Sequence, residues 1–386
     1  MDSNESSSKG PNTINRVVCT FVFTLFTFFY LYYYQADLLT VMQHVFSKGQ
    51  THYNHFIGAV LITCVLLLLQ VGVANSFRRL RLAWAISYLP SALCLATLTD
   101  VTLSAESNSL VFGSMAYVLP VALAVYVLAV WGSYASGLTK TLTDIVGGAL
   151  RQLWVNLLVV LLAIVMVAFC GNNDKVYHAR IHAEQQLLDG NVEGALETIS
   201  KTDRQDANLT MLAAYALSRK QALGERLFEY RPAGGAKALM PDGKTVKFEL
   251  IPDSTFYLRL NGWYLQRMST MKYIDYQRRH RRLNKYSADY MLCGYLLDRK
   301  LDAFVAEIGK YYHVNDSTPL PKHYREALVL YTHLRSTPRV IYKNSVMDAD
   351  YEDYQNVVDS VADTRRRKNM LRDTFGKTYW YYYQYK

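Results

Sequence analysis

The chain has 386 residues, a formal net charge of +10, 51% hydrophobic residues and five cysteines. Its 13% aromatic content excludes a disordered chain, and five cysteines in this length exclude a disulfide-stapled scaffold. A single soluble domain is also excluded, because residues 1–170 hold only eight of the 42 Lys and Arg and six of the 32 Asp and Glu.

Apolar runs in the first half predict a transmembrane bundle of about five helices. Each run has about 17–22 residues, which at about 1.5 Å per residue matches a hydrocarbon core of about 30 Å. The runs follow a polar N-terminal tail, 1–16, and cover 17–34, 56–74, 82–98, 110–131 and 154–170. Residues 17–170 are therefore expected to form a multi-pass membrane domain.

Positive charges predict how this bundle is oriented. Seven basic residues precede the first run, or lie between the second and third or between the fourth and fifth: Lys9, Arg16, Arg78, Arg79, Arg81, Lys140 and Arg151. The opposite short loops hold Lys48 alone. The positive-inside rule places the N-terminus in the cytoplasm, and five spans then place the C-terminal half in the periplasm. If one run does not span, that half lies in the cytosol instead.

Residues 171–386 alternate helical periodicity with polar breaks and predict a soluble helical domain. Over 179–199 two apolar stripes flank a break at Gly190-Asn191, and further helical hairpins are predicted over 208–229 and 287–312. The first two turns are about 30 residues apart, close to the 34-residue tetratricopeptide period. We therefore expect an all-α chain whose second half is a tetratricopeptide-like helical repeat, in preference to an unrelated helical bundle.

A Gly/Pro-rich insertion, 231–254, interrupts the predicted helices. Its prolines and glycines forbid a continuous helix, while Thr245–Ile251 alternates polar and apolar residues like a short strand. The segment is predicted to be a surface loop with a small hairpin.

Three segments carry a resemblance to a known family: ALGERLFEY at 222–230, LPKHYREALVLY at 320–331 and DTFGKTYWYYYQY at 373–385. On these segments the chain resembles a family of bacterial multi-pass inner-membrane proteins with a C-terminal tetratricopeptide-like domain. The resemblance implies a Gram-negative inner membrane. That family has no established activity, so the resemblance implies no functional residue.

Two polar sets on the predicted outer side are candidates for chemistry. The first set resembles the acids and bases that an enzyme acting on lipid-linked substrates would place at the membrane surface. It consists of Asp37, His44, Asp100 and Glu106. His44, His52 and His55 form the alternative, a metal site, because His52 and His55 have a usable ligand spacing. The simpler interpretation of both sets is ordinary loop polarity, and no cofactor motif is visible, so we expect none.

Two clusters in the second half are candidates for binding. Arg278, Arg279, Arg281 and Arg282 would suit anionic lipid headgroups or an acidic partner, or simply a solvated helix face, and a second basic cluster covers 365–368. Nucleic acid is not expected, because the charge topology places the domain outside the cytosol. Tyr379, Trp380 and Tyr381 would form a partner surface or cap the last helix pair.

The sequence thus predicts a membrane-anchored scaffold that presents a helical-repeat domain to a protein partner in the periplasm. The alternative is an integral-membrane enzyme or transporter that acts on a lipid-linked or glycan substrate at the outer face.

Overall fold

The computed structural model describes residues 11–76, 84–103, 110–136, 149–262, 268–314 and 320–385. The chain divides into two compact units, Met1–Asp174 and Lys175–Lys386. Almost all regular structure in the described residues is helical, which confirms the all-α prediction.

The first unit consists of long helices and one small hairpin. Its elements are α1 (Pro11–Phe29), a π-helical segment (Tyr30–Tyr34), α2 (Ala36–Ser47), α3 (His55–Ser76), a 3-10 turn (Trp84–Tyr88), α4 (Leu89–Thr99), β1 (Val101–Leu103), β2 (Leu110–Phe112), α5 (Met115–Ala135) and α6 (Ala149–Cys170). The strands pair antiparallel, with Thr102 opposite Val111.

Four helices of this unit are long and apolar enough to cross a membrane: Thr13–Tyr34, His55–Ser76, Met115–Ser133 and Leu150–Cys170. Their outward side chains include Leu68, Leu128 and Phe169, which are 63–81% exposed but apolar, as a lipid-facing surface requires. The predicted third run, 82–98, differs from the other four. It is a shorter apolar segment, Trp84–Thr99, in which the 3-10 turn leads directly into α4.

Helix α4 is short because it is the inner helix of the unit. Pro90, Ala92, Leu95 and Ala96 are all buried, and α4 packs against α3, α5 and α6. Small residues on α4 permit this close approach, as in other helix pairs in apolar surroundings.

Hydrogen bonds at both ends of the Trp84–Thr99 segment show in which direction α1 and α6 run relative to α4. Near its start, the Tyr88 hydroxyl is 2.8 Å from Thr20 Oγ1 of α1, and the Ala85 N–H donates to Asn156 Oδ1 of α6 at 3.0 Å. Near its end, the Thr99 carbonyl accepts from the Asn172 N–H at 2.8 Å, just after α6, and the Tyr30 hydroxyl, just after α1, donates to Thr99 Oγ1 at 3.5 Å. Residue numbers rise together in these contacts, so α1, α4 and α6 run parallel.

Helix α3 runs the opposite way. Gln70 Nε2 donates to Ser87 Oγ at 2.8 Å, and Ser91 Oγ donates to the Leu66 carbonyl at 2.8 Å. Residue numbers on α3 therefore fall as those on α4 rise. Neutral polar side chains thus join α4 to its neighbours along its length.

The second unit is built from shorter helices. They are α7 (Lys175–Leu188), α8 (Val192–Lys201), α9 (Ala207–Arg219), α10 (Leu223–Arg226), α11 (Asp253–Arg259), α12 (Thr270–Arg279), α13 (Lys285–Leu297), α14 (Leu301–Ile308), α15 (Lys322–Leu334), α16 (Ser345–Ser360), α17 (Thr364–Phe375) and α18 (Tyr379–Tyr385), with 3-10 turns at Leu227–Tyr230 and Gly235–Leu239.

Short polar residues begin several of these helices where the sequence pattern breaks. The predicted break at Gly190-Asn191 is confirmed: Gly190 has a φ of +80°, and Asn191 Oδ1 accepts the Gly194 N–H at 2.9 Å. Asp206 and Asn284 cap α9 and α13 in the same way. Such caps satisfy N–H groups that a helix leaves unpaired in its first turn.

The predicted strand at 245–251 is wrong. This segment has no regular structure, and the N–H groups of Glu249, Leu250 and Ile251 donate to the buried carboxylate of Glu184 on α7, at distances from 2.7 to 3.3 Å. A side-chain carboxylate therefore takes the place of the neighbouring strand that the alternating pattern would need.

Candidate functional site

Asp100, one of the four candidate catalytic residues of the predicted outer side, has a structural role. Its Oδ2 accepts the Met115 N–H at 2.9 Å, and its carbonyl accepts the Gly113 N–H at 2.7 Å. The carboxylate thus caps α5 and holds the end of the β1–β2 hairpin. Glu106, its predicted neighbour, lies outside the described residues.

Asp37 and His44 lie at opposite ends of α2, in its first and last turns. Seven residues of helix separate them by about 10 Å along the axis. Partial burial, and then the nearby His52, lower the pKa of His44, so this imidazole is neutral near pH 7. The structure therefore separates Asp37 from His44 along α2 and gives Asp100 a structural role.

The three histidines of the predicted outer side, His44, His52 and His55, do not form a metal site. His55 Nε2 lies 3.4 Å from the Thr40 hydroxyl, whereas His52 is exposed in the turn between α2 and α3. Within the described ranges, no three His, Cys, Asp or Glu side chains are grouped closely enough to hold a metal ion.

The arginine cluster at the end of α12 is partly neutralised. Arg278 pairs with Asp275 at 2.6 Å and with Glu307 at 2.9 Å, and Arg279 pairs with Asp275 at 2.8 Å. Arg281 and Arg282 are exposed, and no carboxylate in the described part of the chain forms an ion pair with either. Two of the four predicted binding arginines are therefore paired with carboxylates, and Arg278 joins α12 to α14.

The C-terminal aromatic segment is mostly core. Tyr379 and Trp380 are 0% and 2% exposed, and the Trp380 indole N–H donates to the Glu326 carbonyl at 2.8 Å. The Tyr379 hydroxyl donates to the Leu296 carbonyl at 3.2 Å. These two rings are unavailable as an exposed platform, whereas Tyr381 stays half-buried at the surface.

The three segments quoted for the family resemblance meet in one buried polar cluster, which we call the His323–Glu326 cluster. His323 Nε2 accepts the Phe228 N–H at 3.3 Å, so its Nδ1 carries the proton and donates to Glu326 Oε2 at 2.8 Å. The same carboxylate oxygen accepts the Tyr379 N–H at 2.7 Å. Both His323 and Glu326 are fully buried.

This His–Glu pair resembles a catalytic dyad in composition but not in availability. Both imidazole nitrogens already have partners, and a general base needs one nitrogen within reach of a substrate proton. The cluster is therefore a structural joint between α10, α15 and α18. Gly224 contributes to the same joint, because a Cβ there would lie 2.5 Å from the Tyr324 ring.

A second buried polar cluster surrounds Asp289 of α13. Asp289 Oδ1 accepts the hydroxyl protons of Tyr312 at 2.6 Å and Tyr324 at 3.0 Å. Burial raises the pKa of Asp289 despite these two bonds. Burial also raises the pKa of the adjacent Cys293 thiol, which keeps it protonated and inert as a nucleophile.

The described residues of the second unit form an open groove of about 830 Å³. Its walls come from α8, from the segment around Tyr230, and from α17 and α18. The charged lining residues are Glu193, Glu197, Glu229, Asp373, Arg226, Arg231, Lys368, Arg372 and Lys377. Three tyrosines, Tyr230, Tyr381 and Tyr385, add aromatic surface.

Sequence reasoning found only part of this groove. Lys368 belongs to the second basic cluster and Tyr381 to the C-terminal aromatic segment, but the opposite wall was missed. A signal existed there: Glu193, Leu196, Glu197 and Ser200 follow the i, i+3, i+4, i+7 spacing of one helix face. The apolar stripe of α8 indicates only which face of the helix is buried.

Comparison with known proteins gives one match. The model of a family of unknown function (DUF6057) matches residues 266–386. That range includes α12 to α18 and two of the three segments quoted for the resemblance, and it excludes 222–230. No curated protein matches the chain, and no solved structure does. The chain is therefore similar, over its C-terminal third, to a family of unknown function.

Proposed function

We propose that this chain is a membrane-anchored interaction protein. Its first unit spans a bacterial inner membrane, and its second unit, a tetratricopeptide-like helical domain, binds another protein in the periplasm. The observation that carries the proposal is the charged and aromatic groove of the second unit, while the buried His323 has partners on both imidazole nitrogens. Groups that are bound within the protein favour binding over chemistry as the task of this unit.

The four long apolar helices support the membrane anchor. Each has 19–22 residues, or about 29–33 Å of helix at about 1.5 Å per residue. Helix ends carry aromatic side chains suited to the headgroup region, such as the stacked Phe29 and Tyr33 and the exposed Trp131 and Trp154.

The inner helix supports a fifth crossing. Trp84–Thr99 contacts α1 and α6 near both of its ends, and it runs parallel to them. Five residues of 3-10 turn and eleven of α-helix give a length of about 26 Å. Surrounding helices shield this segment from lipid, so it needs neither the length nor the outward apolar face of its neighbours.

Charge supports the orientation. Arg16 lies over the Trp84 ring at 5.5 Å, and Arg151 is near the start of the parallel α6. Both belong to the end of the unit to which the sequence assigns seven positive charges. Asp100 follows α4 at the opposite end. This distribution fits a cytoplasmic N-terminus and a periplasmic second unit.

A labelling experiment tests the sidedness. Asn173→Cys introduces an exposed thiol just after α6, in a Cys293→Ala background. Intact cells with a permeabilised outer membrane should label this thiol with a membrane-impermeant maleimide. The matched control is Ser76→Cys at the end of α3, which should react only after the inner membrane is opened. The opposite pattern would place the second unit in the cytosol and overturn the proposed orientation.

A crosslinking experiment tests the interaction. The photo-crosslinking amino acid benzoylphenylalanine is introduced at Ser200 or at Lys377, on two walls of the groove, and at exposed Asp189 as a control outside it. Irradiated cells should give discrete adducts of the groove variants with another protein. Adducts at neither groove position, or the same adducts from all three, would contradict an interaction role for this surface.

A further inference from the structure

We infer that the groove binds an acidic segment of a partner protein, with Lys368 and Lys377 as the cations that receive its carboxylates beside Tyr381 and Tyr385. This inference rests on the proposed function and names the chemistry of the partner.

The four acidic residues that line the groove all form ion pairs within this chain. Each of the four acids already has a cation: Glu229 pairs with Arg226 at 3.1 Å and Asp373 with Arg372 at 3.2 Å. On the other wall, Glu197 pairs with Lys201 at 2.6 Å, and Glu193 pairs with Lys220.

Two lysines remain after this pairing. Lys368 and Lys377 are exposed, and among the described residues no carboxylate forms an ion pair with either. Both lie on the α17–α18 wall, so these two ammonium groups face the groove from the same side. An incoming carboxylate therefore gains a cation here without displacing an acid of this chain.

Aromatic side chains next to these lysines add a second kind of contact. Lys368 Nζ lies 5.9 Å from the centre of the Tyr385 ring, a cation–π contact that holds the ammonium near the groove. The ring therefore fixes the ammonium group at the groove surface, where an incoming carboxylate can reach it.

Acidic side chains around the groove select among anions. Glu193, Glu197, Glu229 and Asp373 would repel a dense polyanion such as nucleic acid, and a flat bilayer surface does not follow a concave groove. A peptide carries separated carboxylates, and its own N–H groups can donate to the acids on the opposite wall. Charge complementarity therefore favours a protein segment with spaced Asp or Glu residues.

A peptide-binding measurement tests this inference. The probe is a fluorescein-labelled Asp-Gly-Asp-Gly-Asp-Gly peptide, and its Asn-Gly counterpart lacks only the charges. Binding to the full chain in detergent is followed by fluorescence anisotropy. We expect the Asp peptide to bind, and the double variant Lys368→Glu and Lys377→Glu to bind it at least about tenfold more weakly.

The matched control is Lys244→Glu with Lys272→Glu, which changes the net charge equally at exposed positions outside the groove lining. This control should bind the Asp peptide within about twofold of the unmodified chain. Equal loss in both double variants, or equal affinity for the Asp and Asn peptides, would overturn the inference. Binding of phosphatidylglycerol vesicles that the groove variant alone abolishes, without peptide binding, would also overturn it.

A milder variant guards against a folding artefact. Tyr385→Leu removes the aromatic ring that contacts Lys368, so peptide affinity should fall by about twofold to fivefold, while thermal unfolding checks that the fold is retained. Unchanged affinity in a folded variant would contradict the role assigned to the ring. The two proposals remain separable: groove adducts in cells without Asp-peptide binding leave the interaction role standing and exclude an acidic partner. Peptide binding without adducts contradicts the interaction role instead.

Discussion

Both units bury polar side chains, but the two sets differ in kind. Among the described residues of the first unit, the buried polar side chains are amides and hydroxyls: Asn15, Thr27, Gln35, Thr63, Gln70, Ser87, Ser91, Thr99 and Asn156. The second unit also buries ionisable groups: Glu184, Lys247, Glu249, Asp289, Glu307, His323 and Glu326. Gln70, Ser91 and Asn156 of the first set join helices to neighbouring helices or turns, whereas Glu184 and Glu326 of the second set bind N–H groups of a loop and of the last helix.

The proposed surroundings, lipid for the first unit and water for the second, account for this difference. A helix bundle in lipid has no water to solvate an unpaired charge, so neutral hydrogen bonds join its helices at a lower free-energy cost than charged groups would. A unit in water can surround a carboxylate with several N–H donors, and charge-assisted hydrogen bonds are stronger than neutral ones. The penalty for removing a buried polar group should therefore be large in the second unit and small in the first.

Glu326→Ala should have the largest effect. It leaves His323 Nδ1 and the Tyr379 N–H without an acceptor inside a fully buried cluster, which should lower the free energy of unfolding by about 3–5 kcal/mol. Thermal unfolding of the full chain, followed by circular dichroism, measures the loss. Glu197→Ala is the control, since that carboxylate is largely exposed on α8. Equal melting temperatures for the two variants would contradict the expected difference between a buried and an exposed carboxylate.

Glu184→Gln should change the pH dependence of stability. Burial is the largest cause that raises the pKa of Glu184, to about 7 from 4.5. The folded state then holds this proton more tightly than the unfolded state. Its stabilising contribution is complete below about pH 4.5 and is lost as the pH rises through about 7.

The difference in melting temperature between the unmodified chain and Glu184→Gln, recorded from pH 4.5 to pH 8, isolates this contribution. The unmodified chain should lose stability relative to the variant over that range, by up to about 3 kcal/mol. A difference that grows in the other direction would mean that the N–H groups of Glu249, Leu250 and Ile251 stabilise the ionised carboxylate more than burial penalises it.

Asn156→Leu should cost less than either change in the second unit. It removes the acceptor of the Ala85 N–H, a neutral bond of 3.0 Å between α6 and the 3-10 turn. Neutral polar contacts between helices in lipid contribute about 0.6 kcal/mol on average, and up to about 2 kcal/mol. Unfolding in mixed micelles measures the loss, and a penalty as large as that of Glu326→Ala would remove the contrast between the units.

Thr63→Val should have the smallest effect, and its sign should be opposite. The Thr63 hydroxyl is buried on α3 without a hydrogen-bond partner in the described structure. A methyl group of similar size removes an unpaired polar atom, so we expect stabilisation of about 0–1 kcal/mol in the same micelle assay. Exposed Ser76→Val on the same helix serves as the control and should leave stability nearly unchanged.

The sequence by itself determined the features that depend on neighbours along the chain. Apolar runs identified the long helices, Gly190-Asn191 identified a turn, and the difference in charge between the two halves separated the units. These features follow from helical periodicity, from capping and from the cost of placing charge in lipid, and each of these acts within a few residues or a single run.

Only the tertiary structure decided what the polar and aromatic side chains do. Nothing local to Thr245–Ile251 shows that Glu184 will bind its N–H groups in place of a strand, or that Tyr379 and Trp380 will close on Glu326 from more than fifty residues away. The groove likewise unites α8 with α17 and α18. Such convergence depends on how distant helices pack, and packing is a property of shape and buried area that residue spacing along the chain does not record.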